Sequence, residues 1–121
     1  MANILIVDDS STMRKIISRS LRQAGLTVDE IFEAGDGIEG LSVIASGKTI
    51  HLILSDINMP NMDGLEFIKQ VRANGSTVPI VMITTEGGEE IIKEAMQSGA
   101  SDSIKKPFTP EQLQEKLGTL L

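Results

Sequence analysis

Short runs of consecutive apolar, mostly β-branched residues alternate along the chain with longer stretches in which apolar positions recur every three or four residues. Gly, Asn, Asp or Pro separate them. The runs predict strands over Asn3 to Val7, Val28 to Glu33, Ile50 to Ser55, Ile80 to Thr84 and Ser101 to Lys105. The helical stretches place Met13, Ile16, Ile17, Leu21 and Ala24 on one face, then Ile38, Leu41, Ile44 and Ala45, then Leu65, Ile68 and Val71, then Ile91, Ile92, Ala95 and Met96. Gly25 and Gly99 stand where helix C-terminal glycines belong. A fifth helix starts at Thr109-Pro110-Glu111-Gln112, a capping box with proline at the first helical position, and stacks Leu113, Leu117, Leu120 and Leu121.

Five strand-then-helix units predict a parallel sheet with helices on both faces, because parallel neighbours need crossovers. The first, third and fourth strands are almost wholly apolar, as strands covered on both faces must be. The second carries Asp29, Glu30 and Glu33, and the fifth has only Ile104 among Ser, Asp and Lys, so both are edges. The order 2-1-3-4-5 satisfies all five: an α/β, flavodoxin-like (βα)5 doubly wound fold. Ligands of such sheets bind beyond the carboxyl ends of the strands, where the order reverses between strands 1 and 3.

The chain has 121 residues, the size of one domain spanning 1–121, without room for a second. With 40% hydrophobic and 23% charged residues it is globular, and no apolar run approaches the roughly 20 residues of a membrane span. No leader precedes the first strand, so a cytoplasmic address and no membrane partner are expected. A net charge of −6 repels nucleic acid. The absence of cysteine excludes disulfides, thiolate metal sites and a cysteine nucleophile. The single histidine, His51, sits at the wrong end of the third strand, which excludes a Ser-His-Asp triad.

Just past the strands' carboxyl ends stand Asp8 and Asp9, Asp56, Thr84 and Lys106. Taken singly, each is ordinary: an acidic pair starts a turn, a threonine ends a strand, a lysine lies in solvent. Converging, three carboxylates about 4 to 5 Å apart repel pairwise by roughly 3 to 4 kcal/mol at an effective dielectric near 20, and so require a counter-charge. Oxygen ligands with open positions suit Mg²⁺. Asp63 is the cap of the third helix, Ser10 to Thr12 start the first, and Lys105 is solvated. The methionines are packing, with Met13, Met59 and Met62 near the acidic pocket.

These residues closely resemble the receiver domain of two-component response regulators over the whole chain. The resemblance rests on Asp8-Asp9 after Ile-Leu-Ile-Val, the run Asp56-Ile57-Asn58-Met59-Pro60-Asn61-Met62-Asp63-Gly64, Thr84, and Lys106-Pro107-Phe108. It implies that Asp56 accepts a phosphoryl group from a histidine kinase. Asp9, Asp56 and the Asn58 carbonyl would hold Mg²⁺, and Asp8 would orient its water. Thr84 and Lys106 would bind phosphoryl oxygens, and the Lys106-Pro107 bond would be cis. Asn58 and Glu86 match the choices of the family's single-domain chemotaxis regulators. The partners implied are a kinase, a flagellar motor switch protein as target and a phosphatase, for a monomer that catalyses only its own phosphorylation and dephosphorylation. Gly87-Gly88 would make the loop beside Thr84 mobile, and the output surface would be helix 4, strand 5 and helix 5.

One position departs from the pattern. Ser103 stands where these regulators carry an aromatic residue that turns inward on activation, which leaves an output by loop movement alone, by another residue, or a weak one, and favours a phosphate-sink role. An aspartyl-phosphate phosphohydrolase would need a second aspartate at position 58, and Asn58 is not one. A flavin module would lack stacking aromatics, since the chain has three Phe and neither Trp nor Tyr. A degenerate receiver has only Ser103 in its favour.

Overall fold

The computed structural model describes residues 2–85 and 89–121. Ten elements alternate: β1 (Ala2–Val7), α1 (Ser11–Gln23), β2 (Val28–Ala34), α2 (Gly37–Ala45), β3 (Leu52–Asp56), α3 (Gly64–Ala73), β4 (Ile80–Thr84), α4 (Glu89–Ser98), β5 (Asp102–Lys105) and α5 (Pro110–Leu117). All strand pairs are parallel, in the order β2-β1-β3-β4-β5. Glu86, Gly87 and Gly88, to which the sequence assigns a regulatory identity and a mobile loop, lie outside the described residues.

Strand alternation divides the core in two. Ile4 and Ile6 of β1, Leu52 and Leu54 of β3 and Val81 and Ile83 of β4 pack with Ile17 and Leu21 of α1 and Leu113 and Leu117 of α5. Leu5, Val7, Ile53, Ile80 and Met82 face the other way, onto Phe67, Ile68 and Val71 of α3 and Ala95 of α4. Each such fully buried aliphatic side chain contributes about 1.5–3 kcal/mol of transfer free energy. The helix starts are fixed locally. Side-chain oxygens of Ser10, Asp36 and Asp63 accept the N–H groups of Met13, Glu39 and Glu66 at 2.9–3.1 Å. Both bonds of the Thr109–Gln112 capping box form. Gly25 and Gly99 take the positive φ values, 77° and 118°, that let a chain leave a helix.

Several boundaries and faces differ from the sequence pattern. β3 starts at Leu52, not Ile50: the His51 N–H still donates to the Asn3 carbonyl at 2.8 Å, but the Asn3 N–H goes to the His51 ring nitrogen Nδ1 at 2.9 Å and the Asn3 side chain to the Thr49 carbonyl. α5 ends at Leu117, which leaves Leu120 and Leu121 beyond the helix. Ile16, Ile38, Ile91 and Met96, expected on buried faces, are each 42–51% exposed. A helix lying on a sheet buries a stripe narrower than its apolar face, and on α2 the stripe runs through glycine. Gly40 is buried so tightly against Phe67 that a Cβ there would lie 2.8 Å from its ring.

Candidate functional site

The register places the carboxyl ends of all five strands along one edge: Val7 pairs with Ala34 and Ser55, Asp56 with Ile83, and Thr84 with Lys105. The residues that follow are therefore neighbours. Carboxylate oxygens of Asp8, Asp9 and Asp56 lie within 4.8 Å of one another, a spacing at which one cation could be held by all three. Asp8 is buried, Asp56 half-buried and Asp9 exposed, so the cluster opens to solvent on the Asp9 side.

Their surroundings differ. Asp8 is held on both oxygens: Oδ1 accepts the Ser10 N–H at 2.9 Å, and Oδ2 lies 3.4 Å from the Lys106 ammonium. Asp56 Oδ1 accepts the Ile57 N–H at 2.8 Å. Burial raises its pKa above the ordinary carboxylate value, opposed by the Lys106 charge and the Ile57 bond and reinforced by repulsion from Asp8 and Asp9. The Asp9 carboxylate has no hydrogen bond to the protein among the described residues.

Thr84 ends β4 and is 5% exposed, and its Oγ1 has no hydrogen-bond partner among the described residues. Buried hydroxyls in native folds are nearly always paired, with protein, water or a bound ligand. The Lys106 side chain is 11% exposed, and the Lys106-Pro107 peptide is cis, as the resemblance implied. Asn58 is exposed in the loop between β3 and α3, two residues past Asp56. Ser103 is half-buried on β5, paired with Met82. Asp63 caps α3 and Lys105 is exposed, as expected of both. His51 is exposed at the opposite edge of the sheet, beside a cavity of about 460 Å³ also lined by Ala2, Gly25 and Pro79.

Sequence reasoning missed the supports of the site. Gly64 donates its N–H to the Ile57 carbonyl at 2.7 Å, and a Cβ on it would lie 2.3 Å from the Asp56 carbonyl oxygen, so only glycine lets α3 start against the end of β3. Asp36, besides capping α2, accepts the Asn61 amide at 2.7 Å, which holds its pKa below the ordinary value and pins the loop that carries Asn58. Asn61 has a left-handed φ of 66°. Arg14 reaches back from the first turn of α1 to the Asp8 carbonyl and to Glu33. The one signal for these was glycine directly after a capping aspartate; nothing in the periodicity marks Arg14 or Asp36.

Residues 4–118 match the response regulator receiver domain family. The chain is 42% identical over 120 residues to the chemotaxis protein CheY homolog of Campylobacter jejuni, covering 98% of this chain and 91% of that protein. It is also 42% identical to the chemotaxis protein CheY1 of Helicobacter pylori strain J99, covering 98% and 95%. The solved structure of the chemotaxis response regulator CheY4 of Vibrio cholerae is similar throughout, with a TM-score of 0.85 at 41% identity, covering 100% of this chain and 99% of that one.

Proposed function

The chain belongs to the response regulator receiver family, and on that premise we propose that it accepts a phosphoryl group on Asp56 from a phosphohistidine of a partner kinase, with Mg²⁺, and signals to a protein target in chemotaxis. The observation that carries this reading is the gathering of Asp8, Asp9 and Asp56 within 4.8 Å with an ammonium on the buried member. Hard oxygen donors of that number fit Mg²⁺, and the Thr84 hydroxyl, without a partner among the described residues, fits a further oxyanion. Bound Mg²⁺ supplies charge neutralisation for a transferring phosphoryl group.

The chain's own residues do the rest. An ionised Asp56 oxygen attacks phosphorus in line, and the kinase imidazole leaves. Asp9, Asp56 and the Asn58 carbonyl would hold the metal directly, while Asp8 would orient a water beside it and keeps Lys106 in the pocket. Lys106 and the Thr84 hydroxyl take phosphoryl oxygens, each gaining a charged partner. Water attack on the aspartyl phosphate later restores Asp56, so the domain clears its own signal and turns over no external substrate. The target face is α4, β5 and α5, where Ile91 and Met96 of α4 are exposed. A flagellar motor switch protein is the target the sequence resemblance implies. Ser103 directs the coupling through the Thr84 loop, because a serine cannot fill and vacate a pocket as an aromatic ring does.

Beryllofluoride, a mimic of the bound phosphoryl group, tests this by NMR. With Mg²⁺ present it is expected to shift the Thr84 and Lys106 amides of the wild type and leave Asp56→Asn unmoved. Equal shifts in both proteins, or none in either, contradict the proposal.

A further inference from the structure

β2 contributes none of the residues proposed to touch metal or phosphate, yet it controls both backbone groups of Asp8. The Asp8 N–H donates to the Ala34 carbonyl at 3.0 Å. The Asp8 carbonyl accepts from Arg14 Nη1, while Arg14 Nε donates to Glu33 Oε1 at 2.9 Å. Glu33 and Ala34 are the last two residues of β2. The Arg14 side chain is 18% exposed and its bond to the Asp8 carbonyl is partly buried, while the bond to Glu33 lies at the surface; both are charge-assisted, and the fork fixes their relative geometry.

The carbonyl that Arg14 grips belongs to the peptide joining Asp8 to Asp9. Peptide planarity makes that grip fix the direction in which the chain enters Asp9. This matters for Asp9 more than for its neighbours. Asp8 and Asp56 have direct hydrogen bonds on their carboxylates, whereas Asp9, exposed and without such a bond among the described residues, is aimed by its backbone.

We propose that Arg14, oriented by Glu33, is a positioning residue that presents Asp9 to the metal through the Asp8–Asp9 peptide. The inference rests on the reading of the acidic pocket as a Mg²⁺ site. It assigns Arg14 a role opposite to what its charge alone would do, since a cation beside a cation site weakens binding. Outer partners of metal ligands typically cost on the order of tenfold or more in metal affinity when removed.

Calorimetric Mg²⁺ titration of the wild type, Arg14→Lys, Arg14→Gln and Glu33→Gln tests it, with NMR of the Asp9 amide and carboxyl resonances in the metal-free proteins. Lysine keeps the charge but lacks the rigid fork that bonds two acceptors at once. The expected result is Mg²⁺ affinity about tenfold weaker in both Arg14 variants, an intermediate loss in Glu33→Gln, and displaced Asp9 resonances in all three before metal is added. Tighter binding by Arg14→Gln with unchanged binding by Arg14→Lys would reduce Arg14 to a charge. Wild-type affinity in both, with only a lower melting temperature, would reduce it to a structural residue. A wild type that takes up no Mg²⁺ would overturn the reading of the pocket instead, and the metal-free Asp9 resonances would then judge Arg14: unmoved, they overturn its role too.

Discussion

The backbone N–H of Lys106 donates to the carbonyl of Thr84 at 2.6 Å. The last residue of β4 and the lysine that pairs with Asp8 are thereby tied at the main chain, and movement of either loop is felt by the other. The two differ in the resting protein. Lys106 has a carboxylate partner, whereas the buried Thr84 hydroxyl has none among the described residues. Burying an unpaired hydroxyl costs about 1–3 kcal/mol. Thr84→Val, which keeps the branched shape without the hydroxyl, is therefore expected to stabilise the unphosphorylated protein by up to about 1 kcal/mol, read as a higher urea midpoint. The same variant is expected to lose most of the beryllofluoride-dependent change in target affinity. A lower midpoint would mean that the hydroxyl is satisfied in solution.

Asp56 gives a dependence on pH with a definite sign. Burial, and repulsion from Asp8 and Asp9, raise its pKa above the ordinary carboxylate value. The folded chain therefore keeps this proton at a pH where the unfolded chain has lost it. Stability contributed by this group falls as pH rises from the ordinary value through the raised one, and stays low above it. Asp56→Asn cannot ionise. In metal-free buffer it is expected to melt a few degrees higher than the wild type at neutral pH, with the advantage fading as the pH drops through that window. Melting curves between acid and neutral pH check this, and an advantage independent of pH would contradict the assignment to Asp56 ionisation.

A divalent metal held by these carboxylates, as proposed, is expected to reverse that penalty. Ligands that bind only the folded state stabilise it by mass action, about 1.4 kcal/mol when free metal is ten times its dissociation constant. Mg²⁺ is expected to raise the melting temperature of the wild type, chelation to lower it again, and Asp9→Asn to remove most of the response. A Mg²⁺ response of the same size in Asp9→Asn would take Asp9 out of the ligand set.

Gly64 is a packing requirement rather than a conformational one. Its added Cβ would lie 2.3 Å from the Asp56 carbonyl oxygen and 2.9 Å from the Ile57 Cα, both backbone atoms that cannot step aside alone. Gly64→Ala is expected to cost about 3 kcal/mol in chemical unfolding. Because the clash falls on the peptide of Asp56, the proposed phosphoacceptor, it should also weaken Mg²⁺ binding, whereas an alanine at exposed Gly47, with no atom within 4 Å of the added Cβ, should leave the proposed metal site alone.

The parts of this molecule that were legible in sequence are those a local rule decides. Apolar Ile4-Leu5-Ile6-Val7 could only be a strand covered on both faces, and Asp29, Glu30 and Glu33 could only lie on an edge. With the strand order known, topology alone brings Asp8, Asp9, Asp56, Thr84 and Lys106 to one edge. The helix faces were less legible, since periodicity locates an apolar stripe only to within a neighbouring position. Ile38 and Met96 turned outward because Gly40 and Ala95, the small residues, allow the close approach to the core. Arg14 and Asp36 were not legible at all: each acts by reaching another element, and no spacing along the chain records that.

Phosphoryl transfer itself is the central claim, and intact-mass spectrometry reads it directly. The protein is incubated with acetyl phosphate, with and without Mg²⁺, beside Asp56→Asn. One phosphoryl adduct per chain is predicted, present only with Mg²⁺ and absent from Asp56→Asn. An adduct that persists in Asp56→Asn, or that forms equally well without metal, would contradict the account.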